Sequence, residues 1–186
     1  MTAAGDELLI GLVSISDRAS SGVYRDEGIP ALEEFFGRAL TSPWRTEKRL
    51  IPDEGPVIES TLVDLVDREG CHLVLTTGGT GPALRDVTPE AVEPLFEKRM
   101  DGFSIAFHML SHAKIGTSTI QSRATAGVAG ATFIFCLPGS PGACRDAWDG
   151  ILAAQLDYRT RPCNFVEIMP RLDEHLRRPK AKGASA

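Results

Sequence analysis

The chain has 186 residues, 42% of them hydrophobic and 24% charged, with a formal net charge of −5. These are ordinary proportions for a soluble globular protein with one sizeable core, and the length is short for two. A pI near 5.4 argues against the basic stripe that nucleic-acid binding uses to displace counterions, and no apolar run approaches the roughly 18 residues of a membrane span.

In chain order, Leu8–Ile15 (LLIGLVSI) is a nearly continuous apolar run, as expected of a strand covered on both faces. A polar loop follows at 16–26. Residues 28–40 place Ile29, Leu32, Phe35, Phe36 and Ala39 at helical spacing, and 45–51 reads as a strand. Pro56 opens a helix whose Val57, Leu62, Leu65 and Val66 form one stripe. Leu73–Thr77 is a second buried strand. Helices are expected over 89–99, with Thr88 as N-cap and Pro94 able to kink or break the helix, and over 102–113. A polar, small-residue stretch spans 114–126, a further strand 131–137, an amphipathic helix 143–156 and a short strand 164–168. The alternation predicts a single α/β domain over residues 1–176, a three-layer α/β/α sandwich with a largely parallel sheet. A basic tail is expected over 177–186.

Ligands of such sheets bind at the carboxyl ends of the strands. That edge collects Ser14, Ser16 and Asp17 after the first strand, Asp53 after the second, the loop of Gly78, Gly79, Thr80 and Gly81 after the third, and Pro138, Gly139, Ser140 and Pro141 after the last. Glycine-rich loops can aim several backbone N–H groups at phosphate oxygens; ordinary turn chemistry is the other reading. Neither loop is a Walker A or G-x-G-x-x-G sequence. Asp53 and Asp86 beside an anion-binding loop would repel phosphate unless Mg²⁺ joined them to it; alternatively Asp53 caps a helix and Asp86 braces a turn. Arg18, Arg85 and Arg123 are either phosphate partners or solvated surface charges. His108 and His112 stand four apart without the glutamate of H-E-x-x-H, which favours a structural role. Cys71, Cys136, Cys144 and Cys163 form no C-x-x-C pair, which favours reduced thiols over a metal cluster.

The segments GLVSISDRASSGVYRDEGIPALEE, RLIPDE, HLVLTTGGTGPALRDVTPEA and LPGSPGA together resemble the MogA-type molybdopterin adenylyltransferases, related to MoaB proteins and to gephyrin G domains. The resemblance runs from about Ile10 through Arg171. It implies a homotrimer that works beside other molybdenum-cofactor enzymes, and a Mg²⁺-dependent reaction of ATP with molybdopterin that yields adenylyl-molybdopterin and pyrophosphate; the acidic Asp6 and Glu7 in Met1 to Leu9, where a secretory signal would be basic, separately lead to the expectation of a cytoplasmic protein. The resemblance further implies that Asp53 and Asp86 are the catalytic, Mg²⁺-binding carboxylates, that Gly78 to Gly81 and Pro138 to Pro141 bind substrate, and that Ser122 lies near the pterin. Ser140-Pro141-Gly142 departs from relatives that carry an amide or basic residue at the first or third of these positions. A non-catalytic trimeric pterin-binding or scaffolding module is the rival expectation.

Overall fold

The computed structural model of the chain describes residues 7–23, 25–40 and 43–174; the tail expected at 177–186 lies outside them. The strands are β1 (Leu8–Ile15), β2 (Trp44–Ile51), β3 (Leu73–Thr77), β4 (Lys98–Arg99), β5 (Thr125–Ala129) and β6 (Thr132–Leu137), in one sheet of order β2-β1-β3-β6-β5-β4. Strands β2, β1, β3 and β6 are parallel, and β5 runs against both β6 and β4. The sheet is therefore largely parallel, as the alternation of elements predicts.

The period-2 geometry of a strand divides its side chains between two cores. Leu8, Ile10 and Leu12 of β1, Leu73 and Leu75 of β3, and Phe133, Phe135 and Leu137 of β6 face one cluster. Covering this face are α2 (Gly28–Ala39), α5 (Asp101–Ile115) and the helical run of α6 (Pro141–Ala147) and α7 (Ala153–Gln155). Here Trp148 stacks on Phe35 and meets Phe36 edge-on. Leu9, Val13, Val74, Ile134 and Cys136 point the other way, onto α3 (Gly55–Val63) and Val92 of α4 (Thr88–Val92). Gly11 sits on this second face, where a Cβ would come within 3.0 Å of Val74 and 3.1 Å of Leu65. Both faces are buried, which explains why the central strands read as unbroken apolar runs. Edge strand β2 instead carries Arg45, Glu47, Lys48 and Arg49 in ion pairs, a charged edge that discourages further strand addition.

Five expectations need correction. The helix expected over 89–99 is α4 followed by a 3₁₀ turn at Glu93–Leu95 and then β4, because Pro94 cannot continue the helical ladder. The polar stretch expected over 114–126 contains a 3₁₀ turn at Gly116–Gln121 and ends in the first two residues of β5, a strand the sequence reading does not include. The small residues of β5 serve packing: a Cβ on Gly127 would lie 2.3 Å from the Phe96 ring. The strand expected at 164–168 is the single helical turn α8 (Phe165–Ile168), because the buried Asn164 caps it by accepting from Glu167 N at 2.9 Å. Thr88 is no cap; it is the first residue of α4, and its hydroxyl donates to Gly78 O at 3.0 Å. The polar loop at 16–26 also includes one turn of helix, α1 (Asp17–Ser20), capped by Ser16.

Strand β1 has β2 on one side and β3 on the other. The chain leaves β1 in one direction and returns on its far side. The carboxyl ends of β1 and β3 therefore flank a switch in strand order, the place where open α/β sheets leave a crevice.

Candidate functional site

A cleft of about 480 Å³ opens at this crevice. The loop after β1 lines it with Ser14, Ile15, Ser16, Asp17 and Arg18, and the loop after β2 with Asp53. Thr77, Gly78, Gly79 and Asp86 follow from β3, while Gly139, Pro141 and Cys144 come from the loop after β6 and the start of α6. All four loops expected at one edge thus converge. Sequence reasoning missed a fifth contributor, Asp26 to Gly28 at the start of α2. Asp26 accepts from Gly28 N, Ile29 N and the Ser14 hydroxyl at 3.3, 3.1 and 2.6 Å. An aspartate two residues before a helical glycine is the cap signal that could have revealed it.

The glycines allow close approach, and the N–H of one of them is already taken. Gly78 N donates to Leu137 O at 3.1 Å, so this N–H belongs to the scaffold. A Cβ on Gly78, at φ +105°, would lie 2.1 Å from the Ile15 carbonyl oxygen. On Gly79, at φ +64°, it would lie 2.2 Å from the Thr88 hydroxyl and 2.9 Å from both carboxylate oxygens of Asp53. On Gly81 it would lie 2.6 Å from Asp86 Oδ2. Two of the three loop glycines therefore make room for the two carboxylates. Gly139 approaches Gly78 in the same way, and a Cβ there would be 3.3 Å from Gly78 Cα. The two glycine-bearing loops touch.

Asp53 is buried, and loss of solvent raises its pKa above the ordinary 3.8; Asp86 and Asp17 add to the rise, while Val87 N, donating at 3.4 Å, and Arg85 oppose it. Asp86 holds Ala83 N at 3.0 Å through Oδ2. The turn-bracing role considered for Asp86 is real, yet the side chain still lines the cleft. Asp17 is gripped by Arg85 through two bonds of 2.7 and 2.9 Å, and its Oδ1 also accepts from Asp53 N at 2.9 Å. The Arg85 hydrogen bond, aided by that from Asp53 N, holds the Asp17 carboxyl below its usual range. The Arg85 guanidinium is thus linked through Asp17 to the backbone of Asp53.

Among the described residues no group of three or more His, Cys, Asp or Glu side chains is arranged to hold a metal. Asp53 and Asp86 nevertheless fit Mg²⁺, which takes hard oxygen donors and commonly binds through one or two carboxylates with substrate phosphates completing its shell. Asp53 is desolvated and feels the charge of Asp86, so a divalent cation held there would favour its charged form.

Thr80, Gly81, Pro138 and Ser140 are not part of the cleft lining. Thr80 is buried, Pro138 O accepts from Thr77 Oγ1 at 3.0 Å, and Ser140 caps α6 by accepting from Ala143 N. Ser122 is not part of the cleft lining; its hydroxyl accepts from Ala124 N at 3.3 Å. His108 has both ring nitrogens against carbonyl oxygens, Ser104 O at 2.6 Å and Ser122 O at 3.0 Å, in keeping with a structural role. Three cysteines are buried, with Cys163 exposed. No helix among the described residues is long and apolar enough to cross a membrane.

Residues 4–158 match the family described as the probable molybdopterin binding domain. The chain is 51% identical over 148 residues to the molybdopterin adenylyltransferase of Escherichia coli strain K12, covering 80% of this chain and 75% of that protein. Identity to the molybdopterin adenylyltransferase of Haemophilus influenzae is also 51%, over 77% of this chain and 73% of the relative. The crystal structure of the molybdopterin biosynthesis enzyme MoaB from Thermus thermophilus superposes with a TM-score of 0.71 at 29% identity, covering 94% of this chain and 99% of that one. On that match and those identities, the chain belongs to the molybdopterin-binding-domain family and is a homologue of the molybdopterin adenylyltransferases.

Proposed function

We propose that this protein acts in molybdenum-cofactor biosynthesis by adenylylating molybdopterin with Mg-ATP and releasing pyrophosphate. The observation that carries the proposal is the placement of Asp53 and Asp86 against Gly79 and Gly81 in a cleft between the β1 and β3 loops. In the reaction the terminal phosphate of molybdopterin attacks the α-phosphorus of ATP. The new P–O bond forms as the bond to the pyrophosphate leaving group breaks, so no protein nucleophile is needed. Catalysis then depends on positioning and on neutralising charge.

Asp53 and Asp86 are the residues that would hold Mg²⁺. When bound, the ion supplies the positive charge that lets phosphates approach two carboxylates. Gly78, Gly79, Gly139 and Pro141, with Ser14, Ser16 and Asp17, line the cleft that would face the substrates. Thr80, Gly81, Pro138 and Ser140 belong to the same loops, and Ser122, outside the lining, is a further candidate pterin contact. The working form in this proposal is a cytoplasmic homotrimer, in contact with other molybdenum-cofactor enzymes.

The test is incubation of purified protein with molybdopterin and Mg-ATP. Equal yields of pyrophosphate and adenylyl-molybdopterin are expected. Pterin binding without turnover would make the protein a non-catalytic pterin-binding module, and absence of both would refute the proposal.

A further inference from the structure

We propose that Arg123 is a positioning residue that sets the Asp86 carboxylate by clamping the loop that carries it. For its kinetic test the inference rests on the adenylyl-transfer reading; its structural test does not. Sequence alone leaves Arg123 as either a phosphate partner or a solvated surface charge. In the structure its guanidinium fork is engaged by the protein. Nε donates to Gly81 O at 2.9 Å, Nη2 donates to Asp86 O at 2.7 Å, and Nη1 pairs with Glu90 in the first turn of α4. One planar group thus ties both ends of residues 81–86 to each other and to the helix that follows.

The loop needs such a tie. Pro82, Ala83, Leu84 and Arg85 are all exposed, Leu84 completely, so little apolar packing holds the segment. Within it, Asp86 N donates to Ala83 O and Ala83 N to Asp86 Oδ2. These bonds shape the turn, and Arg85 ties its exposed part to Asp17; the Arg123 fork is what joins its two ends.

Arg123 itself is firmly rooted. Its backbone N donates to Thr80 O at 2.9 Å. The flanking carbonyls lie against α5: Ser122 O is 3.0 Å from His108 Nε2, and Ala124 O accepts from the Ser104 hydroxyl at 2.9 Å. A chain of direct contacts therefore runs from the packed helix α5 through Arg123 to the backbone of Asp86. Lysine could keep the charge but could not span two carbonyl oxygens and a carboxylate, because its ammonium is a point charge without a planar fork.

The test compares Arg123→Lys, Arg123→Gln and Glu90→Gln with wild type by steady-state kinetics and by hydrogen exchange of residues 80–88. For both Arg123 variants we expect kcat to fall roughly 10- to 100-fold, as is typical when a partner that orients a metal-binding group is removed. KM for Mg-ATP should stay near the wild-type value, and exchange should quicken at Ala83, Asp86 and Thr88 while the central strands keep their protection. Arg123→Lys should not rescue kcat. A raised KM with kcat intact, or near-complete rescue by lysine, would show that Arg123 meets phosphate directly and would overturn the proposal. Unchanged kcat in a folded variant would do the same. If wild type proves inactive, the proposed function fails but this inference is still decided by exchange: selective deprotection of 80–88 supports it, and unaltered protection refutes it. Should the Arg123 variants not fold, Glu90→Gln removes one arm of the clamp alone, and a smaller change of the same pattern is required.

Discussion

Replacing Gly79 with alanine tests the close approach on which the site depends. At φ +64° an added Cβ has two separate costs. The left-handed backbone costs an L-residue about 1–2 kcal/mol. The contacts at 2.2 Å to the Thr88 hydroxyl and 2.9 Å to the Asp53 carboxylate are closer than real Cβ atoms tolerate, and forcing extra bulk into a packed site costs about 1–3 kcal/mol. The sum is about 2–5 kcal/mol, which for a chain of this size lowers Tm by roughly 5–20 °C. Thermal unfolding by circular dichroism, followed by the adenylylation assay below the new Tm, measures both consequences. Activity should fall further than stability, because the carboxylate displaced, that of Asp53, is one of the two proposed to hold Mg²⁺. Thr88→Ala in the same background removes the shortest contact but leaves the backbone and Asp53 costs, so recovery should be partial at most. Gly37→Ala is the control: Gly37 lies inside α2 with nothing within 4 Å of an added Cβ, and the change should stabilise by about 0.5–1 kcal/mol. An unchanged Tm with full activity in Gly79→Ala would refute the reasoning.

Asp53→Asn should abolish most adenylylation yet leave the metal-free protein as stable as wild type at neutral pH, or more so. Burial raises the Asp53 pKa above 3.8, so the folded state binds the extra proton and stability falls as pH rises from 3.8 through the raised value. Tm measured against pH in chelator should show the variant's advantage vanish towards pH 3.8; a loss of Tm at neutral pH would contradict this account. Asp86→Asn keeps an acceptor for Ala83 N and should fold normally while turnover drops by about 100-fold or more, since charge stabilisation by a metal is worth several kcal/mol; near-wild-type turnover would remove Asp86 from the catalytic role. Thiol titration of the native protein should label Cys163 quickly and the other three only after denaturation. Burial shields those three thiols and pushes Cys71 up to about 11 and Cys136 up to about 12, with Cys144 also raised. Rapid labelling of two or more thiols would show that the core around them is open.

Strands with strong local signals were legible without coordinates. β1 and β3 match their expected limits because each is an apolar run bounded by polar or glycine residues. β5 was not legible: Thr-Ala-Gly-Val-Ala reads as loop until Phe96 is seen to lie over Gly127. Asn164 shows the same limit in another form, since its capping role competes with the strand propensity of the residues after it. At the site, Asp53, Asp86 and the glycines were recognisable from motif and position. Asp26 was missed although its capping partners Gly28 and Ile29 are local; the roles of Arg85 and Arg123 were not legible, because their partners lie far along the chain: Arg85 meets Asp17 across 68 residues, and Arg123 reaches Gly81 across 42 and Asp86 across 37.

Local sequence was enough to set the alternation of strands and helices, the four loops at one edge and the two aspartates beside them, because periodicity, capping and turn chemistry act over a few neighbouring residues. The purpose of those glycines emerged from long-range packing. Only the folded chain shows that the space left by Gly79 and Gly81 is filled by the edges of Asp53 and Asp86, and that arginines available for phosphate are instead bonded to the protein. A missing side chain has meaning only through what occupies its place, and that neighbour is chosen by the packing of distant segments.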